Sequence, residues 1–213
     1  AVASIKIGAV FGLVASLLKV WTGDGSGYAI AQTQPMKLAA VEGYYEGQNG
    51  AGLVAVGLLN PEKKTYDDGQ DSFLFRIEIP KMLSLLAERK VDAFVPGIKN
   101  IIEGGYELKD GTKALSAAEK IEKGKKAIAA LATYRTAKKE GDEAAAKEAY
   151  TTLQENVPYF GYGYIKDVNQ LVPNVPLNFY AFRVMVILGG YFILFFILVL
   201  FFAYKKDLSK IRW

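Results

Sequence analysis

The hydrophobic pattern is strongest near the end of the chain, where 20 consecutive residues without a charged side chain occupy positions 184–203. A hydrocarbon core of about 30 Å requires roughly 20 apolar residues of helix. The pattern therefore predicts a transmembrane helix over residues 176–204. Basic residues follow it directly: Lys205, Lys206, Lys210 and Arg212.

A second apolar stretch lies at the other end of the chain, at residues 7–18, with Lys6 before it. Because the chain starts without methionine inside an apolar segment, we interpret residues 1–21 as a transmembrane helix whose beginning has been cut off. A signal peptide is the alternative, but residues 19–24 offer no cleavage site with small side chains. Small residues recur every four positions, which lets another helix pack closely in lipid: Ser4, Gly8, Gly12 and Ser16.

The charge distribution orients the two helices. Residues 22–175 hold 19 basic and 21 acidic side chains, whereas the two ends together hold seven basic and one acidic. The basic cluster at residues 205–213 indicates a cytoplasmic tail, because lysine and arginine are enriched on that side of membrane helices. We therefore predict a mainly α membrane protein, in which two transmembrane helices flank a long, mostly helical extracytoplasmic loop at residues 22–175. The absence of a basic patch interleaved with aromatics argues against a nucleic-acid partner.

The first part of this loop has weak local signals. Residues 23–27 read Gly-Asp-Gly-Ser-Gly and predict a turn at the exit from the membrane. Residues 34–46 favour a helix, with Pro35 suited to its first turn. Residues 54–59 form an apolar run that fits either a strand or a helix. Residues 73–79 alternate too loosely to predict a strand.

The second part of the loop predicts helices. Residues 80–90 are typical of a short amphipathic helix. Ser116 and Glu119 form a capping box that opens a helix extending to about residue 140, and a second helix is predicted over residues 143–156. This helical hairpin carries no residue pattern that indicates a function.

Histidine and cysteine are both absent from the sequence. Their absence excludes, within this chain, histidine-dependent catalytic triads, zinc sites built from histidine or cysteine, and disulfide bonds. The glycines do not form a phosphate-binding loop. Any redox chemistry of this chain therefore requires a bound cofactor.

Two groups of residues flank the membrane helices and are candidates for chemistry. Lys37 and Glu42 place an amine and a carboxylate beside apolar residues after the first helix. Arg183 and Met185 lie at the start of the second helix, after aromatics such as Phe179 that suit the membrane interface. We expect the fold to bring both groups together at the outer surface, where a lipophilic substrate arriving from the bilayer would meet them.

Short motifs occur in order along the whole chain: Ser4-Ile-Lys-Ile-Gly8, Gly23-Asp-x-Ser-Gly-Tyr28, Lys37-Leu-Ala-Ala-x-Glu42, Ile79-Pro80, Gly161-Tyr-Gly163 and Phe182-Arg-x-Met185. Together they resemble subunit I of the cytochrome bd ubiquinol oxidase family. The resemblance implies that the chain comprises the sixth transmembrane helix, the quinol-binding loop and the seventh transmembrane helix.

The resemblance also implies roles for four residues. Lys37 and Glu42 would bind and oxidise quinol, because a carboxylate can accept a quinol proton while a nearby ammonium holds the oxygen and lowers the carboxyl pKa. Met185 would be an axial thioether ligand of the iron in a low-spin b haem. Arg183 would lie near that haem and either favour its reduced state or pair with a propionate.

In the complete oxidase the resemblance implies further haems b and d, subunit II and the rest of subunit I as partners, and a location in the bacterial inner membrane. Lacking histidine, the chain has neither the second axial ligand nor the ligands of the other haems, and we do not expect it to be active alone.

Two alternatives share its topology: a bacterial membrane sensor with an extracytoplasmic ligand-binding domain, and a purely structural membrane subunit. The motifs that end at Glu42 and Met185 argue against the sensor, whereas the structural subunit predicts no effect from changing Glu42.

Overall fold

The structure is a computed structural model that describes residues 2–205. The basic residues Lys206, Lys210 and Arg212 of the predicted tail lie outside the described residues. The helices are α1 (Val2–Thr33), α2 (Pro35–Glu42), α3 (Met82–Glu88), α4 (Ile98–Glu103), α5 (Ala117–Glu140), α6 (Glu143–Asn156) and α7 (Val175–Lys205). The strands are β1 (Gln48–Asn49), β2 (Leu53–Leu59), β3 (Phe73–Ile79) and β4 (Phe94–Val95), and 3-10 helices cover Val157–Tyr164 and Val168–Leu171.

Helices α1 and α7 are both long and apolar enough to cross a membrane, which confirms the two predicted apolar helices. They run in opposite directions, since Gly12 contacts the Phe196 ring and the Lys6 ammonium lies 4.3 Å from the centre of the Tyr204 ring. A side chain at position 12 would overlap Phe196, whereas one at Gly8 would meet open space. Within the described residues, close helix packing therefore depends on Gly12 and not on Gly8.

The turn predicted at residues 23–27 is wrong. Helix α1 continues through these glycines to Thr33, about 18 Å of helix beyond residue 21 at 1.5 Å per residue. Helix α2 then begins at Pro35, as predicted, and ends earlier than predicted because Gly43 adopts a left-handed conformation with φ of 62°.

The two undecided segments of the loop form one antiparallel hairpin, in which β2 pairs with β3. The register shifts between Val54 and Val56 and again between Leu58 and Leu59. Each irregularity interrupts the strict alternation of inward and outward side chains, so the period-two pattern that identifies a strand is blurred. Strands β1 and β4 pair separately over two residues each.

The helical hairpin of the later loop is confirmed. The Ser116 hydroxyl accepts a hydrogen bond from the Glu119 backbone N–H at 3.2 Å, and the Glu119 carboxylate accepts one from the Ser116 N–H at 2.7 Å.

Helix α3 is shorter than the helix predicted over residues 80–90. The 3-10 helix at Val157–Tyr164 packs against α5 where the backbones of Gly124 and Gly163 meet, a contact that leaves no room for a side chain at either position.

The core lies where α2 and α4 meet the N-terminal end of α7. Phe179, Ile98 and Ala40 are fully buried there, and Tyr44 and Val54 pack into the same cluster. Burying large apolar side chains at this junction holds α2 against α7. The two candidate motifs of the sequence are consequently brought to one place.

Candidate functional site

An ion pair joins α2 to α7 at this junction. One terminal nitrogen of Arg183 lies 2.6 Å from Glu42 Oε2, and the other lies 3.4 Å from Oε1. Glu42 is 3% exposed and Arg183 is 9% exposed, so the pair is shielded from water. A forked arginine–carboxylate contact fixes the orientation of both groups as well as their separation.

The Arg183 guanidinium also binds two backbone carbonyl groups. It donates to the Val41 carbonyl oxygen at 2.7 Å and to the Val54 carbonyl oxygen at 2.7 Å. Its central carbon lies 4.2 Å from the centre of the Phe179 ring. One side chain thus ties α2, β2 and α7 together, and buried partners satisfy its charge and its donors.

Burial raises the pKa of the Glu42 carboxyl above its ordinary value, and the neighbouring Arg183 acts in the opposite direction. Removing a carboxylate from water penalises its charged form, which explains the sign. The expectation that Lys37 lowers this pKa is wrong. The cation in contact with Glu42 is Arg183, whereas Lys37 lies exposed on α2.

Aromatic side chains surround the ion pair, and a cavity lies on the far side of Gly43 and Phe73. The Phe73 ring meets the Phe179 ring edge to face at 5.4 Å, and the Tyr180 hydroxyl accepts a hydrogen bond from the Leu59 N–H at 3.1 Å. A largely polar cavity of about 530 Å³ lies beside them, with Gly43 and Phe73 in its wall. Phe179 was expected at the membrane interface, but it is fully buried beneath Arg183.

Met185 lies two residues after Arg183, with its side chain outside the core. It is 60% exposed, and all residues from 184 to 190 of α7 are exposed as well. Residues 17–26 of α1 are also exposed, and the antiparallel packing of the two helices sets them at the same level. Within residues 2–205, no three histidine, cysteine, aspartate or glutamate side chains cluster as metal ligands.

Of the four candidate residues, the structure brings Glu42 and Arg183 into contact, places Met185 next to them along α7 and leaves Lys37 on the surface. The sequence did not indicate that the Val54 carbonyl accepts a hydrogen bond from Arg183. Every residue has a backbone carbonyl, so the side chains do not show which one is used. It also did not indicate Phe73, whose strand was undecided. The one available signal was the arginine at the start of an apolar helix, an unusual position that suggests a buried partner.

Comparisons with known proteins agree with the motifs. A family model described as cytochrome bd terminal oxidase subunit I matches residues 1–213. The chain is 29% identical over 231 residues to cytochrome bd-II ubiquinol oxidase subunit 1 of Escherichia coli (strain K12), covering 100% of this chain and 40% of that protein. It is 33% identical over 95 residues to "Putative cytochrome bd menaquinol oxidase subunit I" of Bacillus subtilis (strain 168), covering 45% of this chain and 19% of that protein. The chain thus spans less than half the length of these relatives.

Proposed function

Because the chain belongs to the cytochrome bd terminal oxidase subunit I family, we propose that it forms the quinol-oxidising part of such a subunit. In this proposal it takes electrons from a membrane quinol and delivers them to a low-spin b haem. The observation that carries the proposal is the buried Glu42–Arg183 pair, since it joins the loop motif to the helix motif two residues before Met185.

Glu42 acts as the base in this proposal. Oxidation of a quinol to a quinone releases two electrons and two protons. The Glu42 carboxylate accepts one proton from a quinol hydroxyl, and the second proton passes to water. Burial raises the pKa of Glu42, which makes its carboxylate a stronger proton acceptor.

Lys37 binds the quinol rather than the carboxylate. Its side chain is exposed five residues before Glu42, on a short helix that follows the first membrane helix. An ammonium group in this position can donate a hydrogen bond to a quinol oxygen, which orients the ring for proton transfer.

Met185 would hold the iron of a low-spin b haem through its thioether sulfur. When bound there, the haem would supply the group that takes up the electrons of quinol. The exposed thioether suits this role, as does the exposed apolar stretch at residues 184–190, which offers an apolar surface beside the ligand. Both terminal nitrogens of Arg183 already bind protein groups. We therefore assign Arg183 the electrostatic role, in which its charge favours the reduced haem, rather than a pair with a propionate.

The complete oxidase supplies the remaining parts of the function. We propose that the rest of subunit I and subunit II are partners, that they contribute the further haems b and d for oxygen reduction, and that the complex lies in the bacterial inner membrane. Membership of an oxidase subunit family argues against the membrane sensor and the purely structural subunit.

The first prediction concerns topology. In right-side-out vesicles that contain the complete oxidase, external protease is expected to cut within residues 22–175, because the basic residues after α7 hold that end inside. Mass spectrometry of the released peptides measures the sites. Inverted vesicles serve as the control and should protect the loop. Cleavage of the loop only in the inverted vesicles would reverse the topology and rule out an outer quinol site.

The second prediction tests substrate binding. Lys37→Ala in the complete oxidase is expected to raise the apparent KM for quinol about tenfold and to lower kcat less, because it removes a contact made in both the bound and the reacting state. Steady-state oxygen consumption across quinol concentrations measures both constants. Lys147→Ala on exposed α6 is the matched control. An unchanged KM in the Lys37 variant would remove Lys37 from the quinol site.

A further inference from the structure

The glycines at the outer end of α1 have no packing role in the described structure. Gly23, Gly25 and Gly27 are all helical, and a side chain added at each would meet no atom within 4 Å. Glycine is less favourable than alanine in a helix because it loses more conformational freedom. Three glycines within five residues therefore make a weak helical segment, and contacts with other elements must keep it helical.

Those contacts come from the end of α3. The two terminal nitrogens of Arg89 donate to the two carboxylate oxygens of Asp24, at 3.0 and 2.5 Å. The Arg89 guanidinium also lies 5.1 Å from the centre of the Tyr28 ring. Lys109 approaches the same ring at 5.3 Å while its ammonium pairs with Glu88 at 2.7 Å. Several charges in one network hold more firmly than an isolated exposed pair.

A third residue of α1 extends this network by one turn. The Gln32 side-chain amide donates to the Ala87 carbonyl oxygen at 2.8 Å and to the Glu88 carboxylate at 3.2 Å. Asp24, Tyr28 and Gln32 are spaced by four residues and so share one face of α1. We call this set of contacts the α1–α3 clamp: Asp24, Tyr28, Gln32, Ala87, Glu88, Arg89 and Lys109.

The backbone of Arg89 also favours this interpretation. Arg89 ends α3 in the left-handed conformation, with φ of 57°, which is unfavourable for a residue that carries a side chain. Glycine is the usual residue at such a helix end. The forked contact with Asp24 accounts for an arginine here, because only a long guanidinium side chain makes it.

The clamp is mechanically connected to Glu42. Only Gln34 separates the end of α1 from the start of α2, and its backbone accepts hydrogen bonds from the N–H groups of Lys37 and Leu38. Ala31 near the end of α1 is buried in the same core as Ala39 and Ala40 of α2. A shift of the outer end of α1 would therefore carry α2 with it and move the Glu42 carboxylate relative to Arg183.

We propose that Asp24 and Arg89 are positioning residues for quinol oxidation, which hold the glycine-containing end of α1 straight and thereby set the position of Glu42. This proposal rests on the proposed role of Glu42. The clamp compensates for the weak helix at Gly23, Gly25 and Gly27. A small displacement of a catalytic group is costly, since misplacement by about 1 Å can reduce a rate 100-fold.

The test uses the complete oxidase with Asp24→Asn and, separately, Arg89→Gln. Each is expected to lower kcat for quinol about three- to tenfold, with a smaller change in KM, because positioning of the base and not substrate affinity is affected. Hydrogen exchange of the backbone amides in residues 23–42 should become faster in both variants. The matched control is Asp92→Asn, which breaks the exposed Lys81–Asp92 pair of 2.6 Å without touching α1.

Two rescue variants separate positioning from general damage. Exchanging the charges, with Asp24→Arg and Arg89→Asp together, should restore much of kcat. Adding Gly25→Ala to Asp24→Asn should also restore part of kcat and slow the exchange, because alanine strengthens the helix in open space. A charge effect unrelated to helix stiffness would not respond to Gly25→Ala.

The proposal is overturned if Asp24→Asn leaves kcat and exchange unchanged, if Asp92→Asn has the same effect, or if neither rescue variant restores kcat. Glu42→Gln measured in parallel distinguishes failure of the proposed role of Glu42 from failure of the clamp. Normal turnover in Glu42→Gln refutes the proposed function. Low turnover in Glu42→Gln with normal turnover and exchange in Asp24→Asn refutes the clamp alone.

Discussion

Replacing Glu42 with glutamine is expected to lower quinol-driven oxygen consumption by the complete oxidase by about 10²- to 10⁴-fold, the range typical for loss of a general base. The amide keeps the shape of the side chain and can still accept a hydrogen bond from Arg183, but it cannot take up a proton. Because Glu42 is buried and orientated by the forked contact, a water molecule or neighbouring carboxylate cannot easily replace it.

The controls for Glu42→Gln address folding and specificity. The substitution leaves the buried Arg183 without a counter-charge, which destabilises the junction, so the haem spectrum must be recorded to establish that the site is still assembled. Oxygen consumption fed by an artificial donor that bypasses quinol should stay near normal. Glu62→Gln, an exposed carboxylate in the hairpin loop, should have no effect. Quinol oxidation at the unmodified rate in Glu42→Gln would show that the motif is structural.

Met185→Leu is expected to abolish or strongly shift the low-spin haem spectrum of the complete oxidase. Leucine is close to methionine in volume, and the side chain is 60% exposed in this chain, so few protein contacts are lost. The thioether ligand, by contrast, is removed completely. Absorbance difference spectra of the reduced and oxidised enzyme measure the change.

Met36→Leu provides the matched control for Met185→Leu. Met36 lies in the first turn of α2 and packs against the core, so this variant makes the same chemical change at a position outside α7. Its low-spin spectrum should be unaltered. An unaltered spectrum in Met185→Leu as well would leave Met185 as an ordinary apolar residue of the helix.

Elements with strong local signals were predictable from the sequence. The apolar run at residues 184–203 identified α7 because its length alone matches a bilayer. The capping box at Ser116 located the start of α5 to the residue, since the side chains that satisfy the first N–H groups are themselves in the sequence. In both cases the determining interactions lie within one turn or one helix.

Elements that depend on distant contacts were not predictable. The glycines at 23–27 suggested a turn, but contacts from α3 keep them helical.

The same limitation applied to the candidate site. Lys37, close in sequence, was the expected neighbour of Glu42, whereas the actual one is Arg183, 141 positions away. Sequence reasoning identified both residues as functional candidates but had no means of pairing them across that distance.

The separation of Glu42 and Arg183 has a consequence for biosynthesis. Ribosomes add about 5–20 residues per second, so roughly 7–28 s pass between synthesis of Glu42 and of Arg183, whose sequence separation is 141. During that interval the carboxylate has no arginine partner and cannot occupy its buried position at low cost. The junction therefore closes late, after the α5–α6 hairpin has been made and once α7 emerges. A nascent chain of this protein cannot hold a finished Glu42–Arg183 junction before the start of α7 has been made.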